Sequence, residues 1–498
     1  MMGRQMRTAA GEVHVRRKSK AAAALLALAM VASACGSRTT RAQVLAEAKA
    51  DGAVALANSS GLTGVDTANG TGGDAATGTG GDATNGNNSA TGGNGTTGGN
   101  GTTGSNGQIK TTVPAGGNGG STDVGVSGTE LKLGWVGTLT GPVPGLFRGA
   151  LVGAQAYAAY QNSQGGLFGR RLRIVPGDDG LDSGKNRAAH LQLKDNVFAF
   201  SGSFSVNDDG GVGVLNDCKC PDVGGALSAS RLALANHYDP QPAKPGWRSG
   251  ALNYYKQKYP ADVVQHVGFF VSAIESARAI AANERAVMEQ LGYKVVYTRE
   301  VQANETNYTG DIVQMRRQGV KTVIWQGDVG NMARLAQAMN DQGFKPDLAI
   351  WGNAIYDPNA FKIASKEAFE GAYVDAVYAM FEGEDAARIP EVGLFNKWMK
   401  QVDPNQAVDL FSMYGWISTR LFVEAAQKVG PQLTRPKLLA ELGKIGSWDA
   451  NGMVAPVNVG QKKFADCVMI LRIQGGKYVR THPTDRSFAC DLGPYIYR

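Results

Sequence analysis

Regular alternation of apolar and polar positions begins at Leu131 and sets the plan of everything after it. The run LKLGWVGTLTGP (131–142) alternates and then stops at Thr-Leu-Thr-Gly-Pro, which predicts a buried strand ending in an open loop. In GALVGAQAYAAYQN (149–162) the apolar residues recur at helical spacing, and Gly165-Gly166 ends the helix without a Cβ penalty. A turn and second strand follow in GGLFGRRLRIVPGDD (165–179), and a third strand in NVFAFSGSFS (196–205). A mixed segment closes at Cys218-Lys219-Cys220-Pro221, and PDVGGALS (221–228) predicts another strand. The series then restarts: strand HVGFFVSAI (266–274), helix 275–292, strand KVVYTREV (294–301), helix 309–318, strand KTVIWQGD (321–328), helix 330–343 and strand DLAIWGNA (347–354). Two helices, 411–430 and 433–442, the second with Pro436 early in it, precede a hairpin over 467–480 that turns at Gly475-Gly476.

Strand–helix alternation of this kind predicts an α/β fold of two doubly wound units, read as two lobes. Such units bind ligands where loops leave the carboxyl ends of the strands. In the first unit those ends carry Thr138, Thr140, Asp178, Ser203 and Ser205, all short and polar.

Composition changes the picture at the N-terminus. The chain has 498 residues and 67 glycines, well above the ~7% of ordinary usage. Many lie between about Asn58 and Gly128, in repeats such as GGNGTTGGNGTTG. That stretch holds too little apolar surface to offset the entropy of ordering and predicts a disordered Gly/Thr/Asn-rich tether. A Gly-rich coil of ~70 residues spans roughly 45 Å. Ahead of it, a basic region and the apolar run AAAALLALAMVASA (21–34) predict a secretory signal, since a bilayer span needs ~20 residues. Ala32-Ser33-Ala34-Cys35 resembles a bacterial lipobox, which makes Cys35 the lipidated residue after cleavage; the alternative is ordinary cleavage after Ala34. The expected organisation is a signal at 1–34, an anchor segment and tether at 35–128, and a binding domain at 129–498. The formal net charge of +7 shrinks to +2 once the six basic residues and one acid of the first 34 are removed. With no basic cluster on the folded part, a nucleic-acid partner is not expected.

Enzyme signatures fail. There is no Gly-x-Ser-x-Gly elbow, and Gly184-Lys185 lacks the Ser/Thr that a phosphate loop needs. No cofactor is implied. Cys218 and Cys220 with His237 make too sparse a set for structural zinc, so no metal site is predicted. In an oxidising compartment Cys467 and Cys490, flanking the final hairpin, are expected to form a disulfide; pairing of Cys218 with Cys220 across one residue is left open.

The GWVGTLTGP strand end, the N-x-x-GG-x-x-GRRL-x-I turn at 162–174, Asp178-Asp179 and the GSFS loop together resemble the leucine/isoleucine/valine-binding family. These are type I periplasmic binding proteins that feed ABC importers. The resemblance implies two lobes joined by a hinge of three crossings, near 255–265, 379–386 and 450–458. Lobe I would then comprise about 129–260 and 383–453, and lobe II about 261–382 and 454–498. It implies that Ser205 holds a ligand carboxylate, that Ala226, Leu227 and Ser228 contact carboxylate and ammonium, and that Phe147 packs on the ligand, with Thr140 at the strand-end loop. Each of these has a plainer alternative as a core or helix-capping residue. The family's lobe II Tyr and Glu are missing: Asp328 stands near the Tyr position, and Asn353 or Ala354 at the Glu position. Either Asp328 takes the ligand ammonium or the ligand is not an α-amino acid; otherwise Asp328 is a helix N-cap. The expected function is lipid-anchored, extracytoplasmic capture of an amino acid or amino-acid-like solute for an ABC permease. A sensor module of the same fold and, further off, a secreted hydrolase are the alternatives.

Overall fold

A computed structural model describes residues 112–497, apart from 142–143, 243–244, 274, 303, 353–354 and 358–359. The signal segment, Cys35, the tether up to residue 111, Asn353 and Ala354 lie outside the described residues.

Five parallel strands form the first sheet: β1 (Glu130–Gly137), β2 (Arg171–Asp178), β3 (Ala199–Ser201), β4 (Asp222–Val223) and β5 (His237–Tyr238), in the order β2-β1-β3-β4-β5. Alternation along β1 explains its placement. Leu131, Leu133 and Trp135 share one face and pack with Ala150, Ala154 and Tyr157 of helix α1 (Arg148–Ser163). Val136 on the other face joins Ala189 and Leu193 of α2 (Ser183–Leu193). Helices therefore cover both faces, as parallel sheets require.

The second sheet has seven strands. After β6 (Gly246–Arg248) and α3 (Ser249–Lys258) come β7 (Val267–Ser272), α4 (Glu275–Gln290), β8 (Val295–Val301), α5 (Thr309–Arg317) and β9 (Thr322–Gln326). Next are α6 (Val329–Asp341), β10 (Leu348–Trp351) and β11 (Tyr373–Ala376). Two further helices, α7 (Pro390–Val402) and α8 (Leu410–Val429), return to the first sheet, followed by α9 (Arg435–Leu442) and the short pair β12 (Ser447–Trp448) and β13 (Val457–Asn458). The chain ends with β14 (Met469–Gln474), β15 (Lys477–His482) and β16 (Tyr495–Tyr497). Sheet order is β15-β14-β11-β10-β9-β7-β8, parallel except for the β14–β15 hairpin and its junction with β11. Gly475 and Gly476 both have positive φ, 58° and 75°, the requirement of a two-residue type I′ turn, so the hairpin turns where the sequence predicted.

Helix α8 lies against α1 at unusually close range. A Cβ on Gly415 would stand 2.0 Å from the Ala150 carbonyl oxygen, and one on Gly153 would stand 1.9 Å from that of Ser412. Only glycine permits that approach. Beside it, buried Glu391 of α7 accepts from Trp416 Nε1 at 2.8 Å and from Arg420 Nη1 at 2.7 Å, tying α7 to α8.

Three boundaries differ from expectation. The first crossing falls between Tyr238 and Gly246, ahead of the expected 255–265, because Ala251, Leu252 and Tyr255 of α3 pack in the second core with Val267 and Phe269. The third falls after Lys462, whose Nζ donates to the Leu234 carbonyl, and before Asp466, which accepts from Tyr495 N at 2.6 Å; 450–458 still belongs with the first lobe. The second crossing, between β11 and α7, includes the expected 379–386, and its start pairs with the later segment through Ala379 N to Met453 O and Ala455 N to Val377 O. The folded domain also begins before residue 129. The fully buried guanidinium of Arg170 donates to the carbonyls of Asn118, Gly120, Ser127 and Pro431, Asp123 accepts from Arg435 N, and Val126 is buried. Residues 112–128 are thus docked to the first lobe.

Candidate functional site

The carboxyl ends of β1, β2 and β3 gather the polar residues that the sequence singled out, and they bond chiefly to one another. Asp178 accepts from the amides of Leu139, Thr140 and Gly180 and from the Thr140 hydroxyl. Burial opposes its ionisation, but these donors outweigh that and hold its carboxyl below the ordinary value. Its neighbour Asp179, fully buried, accepts from Thr138 Oγ1 at 2.7 Å, Leu181 N at 3.0 Å, Asn186 Nδ2 at 3.1 Å and Ser205 Oγ at 2.5 Å. Ser205 in turn accepts from Asn207 N at 3.0 Å.

The segment 226–228 follows the same logic. Ala226 N donates to Asp239 at 3.3 Å, Leu227 N to Asp208 at 2.7 Å, and Ser228 N to Asp208 at 3.1 Å. Ser228 Oγ accepts from Arg231 N, so its hydroxyl is the N-cap of the turn Ala229–Leu232. The side chain of Leu227 is 41% exposed. Asp239 also accepts from Gln241 N at 2.7 Å; burial pushes its carboxyl up to about 7.

Phe147, at the start of α1, is buried in an aromatic group. Its ring centroid lies 5.2 Å from Phe204 and 4.9 Å from Phe411, and Phe204 lies 5.5 Å from Tyr414. The Tyr414 hydroxyl donates to Gln241 Oε1 at 2.7 Å, and Gln241 Nε2 donates to the Val377 carbonyl at 3.1 Å. The first lobe and two crossings are linked there.

Asp328 lies in the second lobe as the N-cap of α6. It accepts from Asn331 N at 2.7 Å, from Ser272 Oγ at 2.7 Å and from Asn331 Nδ2 at 3.1 Å, and it is 7% exposed. Its oxygens are engaged within its own lobe, the capping alternative named above.

Sequence reasoning passed over the place where both lobes meet. Asp409, the N-cap of α8, and Asp357, in the loop after β10, act electrostatically on each other and on Glu382 in the second crossing. Burial, then repulsion from Glu384, Asp357 and Asp409, pushes the Glu382 carboxyl up to about 8. Burial raises Asp409 to about 6 against the opposing bonds from Ser412. Tyr356 donates to Glu384 at 2.6 Å. The signal was present in the sequence as Tyr356-Asp357-Pro358 just past a strand end and as the acid-rich run Glu382-Gly383-Glu384-Asp385. Cys467 is joined to Cys490, and Cys218 to Cys220. Among the described residues no cluster of three or more His, Cys, Asp or Glu is arranged to hold a metal ion, and no helix is long and apolar enough to cross a membrane.

The family model described as "Periplasmic binding protein" matches residues 130–477. A Leu/Ile/Val-binding protein homolog 2 of Brucella abortus is 22% identical over 319 residues, 61% of this chain and 80% of the relative. Among solved structures, a branched-chain amino acid ABC transporter protein from Thermus thermophilus with bound valine superposes with a TM-score of 0.59 at 16% identity, covering 74% of this chain and 97% of that one. A fatty acid ABC transporter substrate-binding protein from Thermomonospora curvata also gives 0.59, at 18% identity, covering 77% and 97%.

Proposed function

We propose, from the premise that this chain belongs to the periplasmic binding protein family, that it captures an amino acid or similar small polar solute outside the cytoplasm and delivers it to an ABC permease. One observation carries the reading. Side chains from the first lobe (Asp409), the second crossing (Glu382) and the second lobe (Asp357) act electrostatically on one another, which supports a site where the two lobes approach. Closure of such a cleft about three crossings traps a solute without covalent chemistry. The residues assigned to it are Ser205, Ala226, Leu227, Ser228, Phe147 and Thr140 on the first lobe, with Asp328 on the second. The bonds of Ser205 and Asp328 give them a supporting role, positioning the wall through Asp179 and Ser272. Anchoring through a diacylglyceryl group on Cys35 would hold the domain at the membrane on its tether.

The test is a thermal-shift screen of the full chain against amino acids, amides, polyamines and small carboxylates, followed by small-angle scattering. A true ligand at 100 Kd adds about 2.7 kcal/mol of stability. It should also compact the domain, measured with residues before 112 removed. Absence of a stabilising solute, or an unchanged radius with one bound, would count against capture by closure.

A further inference from the structure

We infer that the solute this cleft takes carries no free carboxylate, being an amine or amide with a small apolar body, and that Asp208 enforces the exclusion. The inference rests on the solute-binding reading above and narrows its ligand class. A carboxylate leaving water must regain hydrogen-bond donors, or its desolvation is uncompensated. At the strand-end loops of the first lobe several donors are already spent on the protein's own carboxylates. Thr138 and Ser205 hydroxyls go to Asp179, and the amides of Leu139 and Thr140 with the Thr140 hydroxyl go to Asp178. The amide of Ala226 goes to Asp239.

Asp208 is the decisive member. It is 1% exposed, and its two oxygens take the adjacent amides of Leu227 and Ser228, backbone donors of the segment assigned above to the solute. An incoming carboxylate would find that seat filled by a like charge. Where the lobes meet, Asp409, Glu382, Asp357 and Glu384 gather four more carboxyl groups, and Tyr356 donates to Glu384 at 2.6 Å. These surroundings favour a solute that donates hydrogens or carries positive charge, and half-buried Phe411, packed edge-on against buried Phe147 and Phe204, would offer its apolar end a partner.

The experiment uses pairs of solutes matched except for the carboxylate: isoleucine and isoleucinamide, isobutyrate and isobutyramide, hexanoate and hexylamine. Binding to the full chain is measured by calorimetry for the wild type, Asp208→Ser and Asp208→Asn. The wild type should bind an amide or amine and reject its acid partner by about tenfold or more, the scale set by one lost charge-compensating contact. Asp208→Ser, which frees the two amides, should bind at least one acid about tenfold more tightly than the wild type does. A wild type that binds an acid as well as its amide overturns the inference, as does a folded Asp208→Ser that gains no acid. Should Asp208→Ser fail to fold, Asp208→Asn, which keeps an acceptor for one amide and removes the charge, is held to the same criterion. If the wild type binds no member of any pair, the solute-binding reading fails for this ligand range, while the acid gain of the variant still decides the role of Asp208.

Discussion

Glu284 offers a sharp test of the electrostatics of the second lobe. Its carboxyl, 2% exposed on α4, accepts one hydrogen bond from Gln326 Nε2 at 2.6 Å. Burial, then repulsion from Asp375, pushes it up to about 8, against the Gln326 bond and the attraction of Arg248. In the unfolded chain it titrates near the ordinary glutamate value of about 4.3. Between those limits the folded protein holds a proton that the unfolded chain has released, so stability falls as pH rises through the window and levels off above pH 8. Integrating from pH 6 to pH 8 removes about 2 kcal/mol through this one group. Glu284→Gln keeps an acceptor for Gln326 and cannot ionise. The stability difference between variant and wild type should therefore widen in the variant's favour by about 2 kcal/mol over that interval, or a few degrees in Tm. Denaturant titrations of both proteins at pH 6, 7 and 8 measure it, and the other raised carboxyls, Asp239 and Glu382, cancel in the difference. Parallel stability curves for the two proteins would refute the reasoning.

Gly415→Val drives a branched side chain into the Ala150 carbonyl, where even a bare Cβ stands 2.0 Å away, and should cost about 3 kcal/mol or more, read as a fall in Tm. Arg170→Ala strips a buried donor from four part-buried carbonyls, a loss of about 0.5–1.5 kcal/mol for each bond. Limited proteolysis should then cut within 112–128 well below the temperature at which the wild type is cleaved there; an unchanged cleavage pattern would mean that segment is held by other contacts. Cys35→Ser should move the protein from the membrane fraction to the medium, and retention on the membrane would count against the lipid anchor.

Much of the architecture was legible because it is local. Period-two alternation placed β1, β7 and β9, helical periodicity placed α1, α6 and α8, and Gly475-Gly476 placed the hairpin. What the sequence hid is bonding over long separations. Residues 112–128 have the composition of the tether before them. They fold because Arg170 and Arg435, 50 and more than 300 positions away, supply the bonds that the segment cannot make for itself. The apolar stripe on α3 announces a buried face but not which sheet buries it, which is why the first crossing was expected too late. The site shows the same limit. Short polar residues at strand ends were visible, yet whether a serine offers its hydroxyl to a solute or to a carboxylate 26 residues back, as Ser205 does with Asp179, is decided only by the fold.

That distinction bears on how the wall segment is tied to the crossings. Ala226 is bonded to Asp239, Asp239 to Gln241 N, and Gln241 reaches both Val377 of the second crossing and Tyr414 of α8. Val377 continues through Ala455 N into the segment ahead of the third crossing. The wall segment 226–228 is therefore bonded into the same group as two of the three crossings, and it cannot shift far without loosening contacts at 239–241 and 377. If one lobe rotates against the other, as proposed above, the change falls beyond that group, in 380–389 and 463–465, where the chain runs between elements. The glycine with open surroundings and φ of 137° in this stretch, Gly383, sits in the middle of the first of these. It is flanked by Glu382 and Glu384, so a bend there would move the carboxyl groups that crowd the place where the lobes meet.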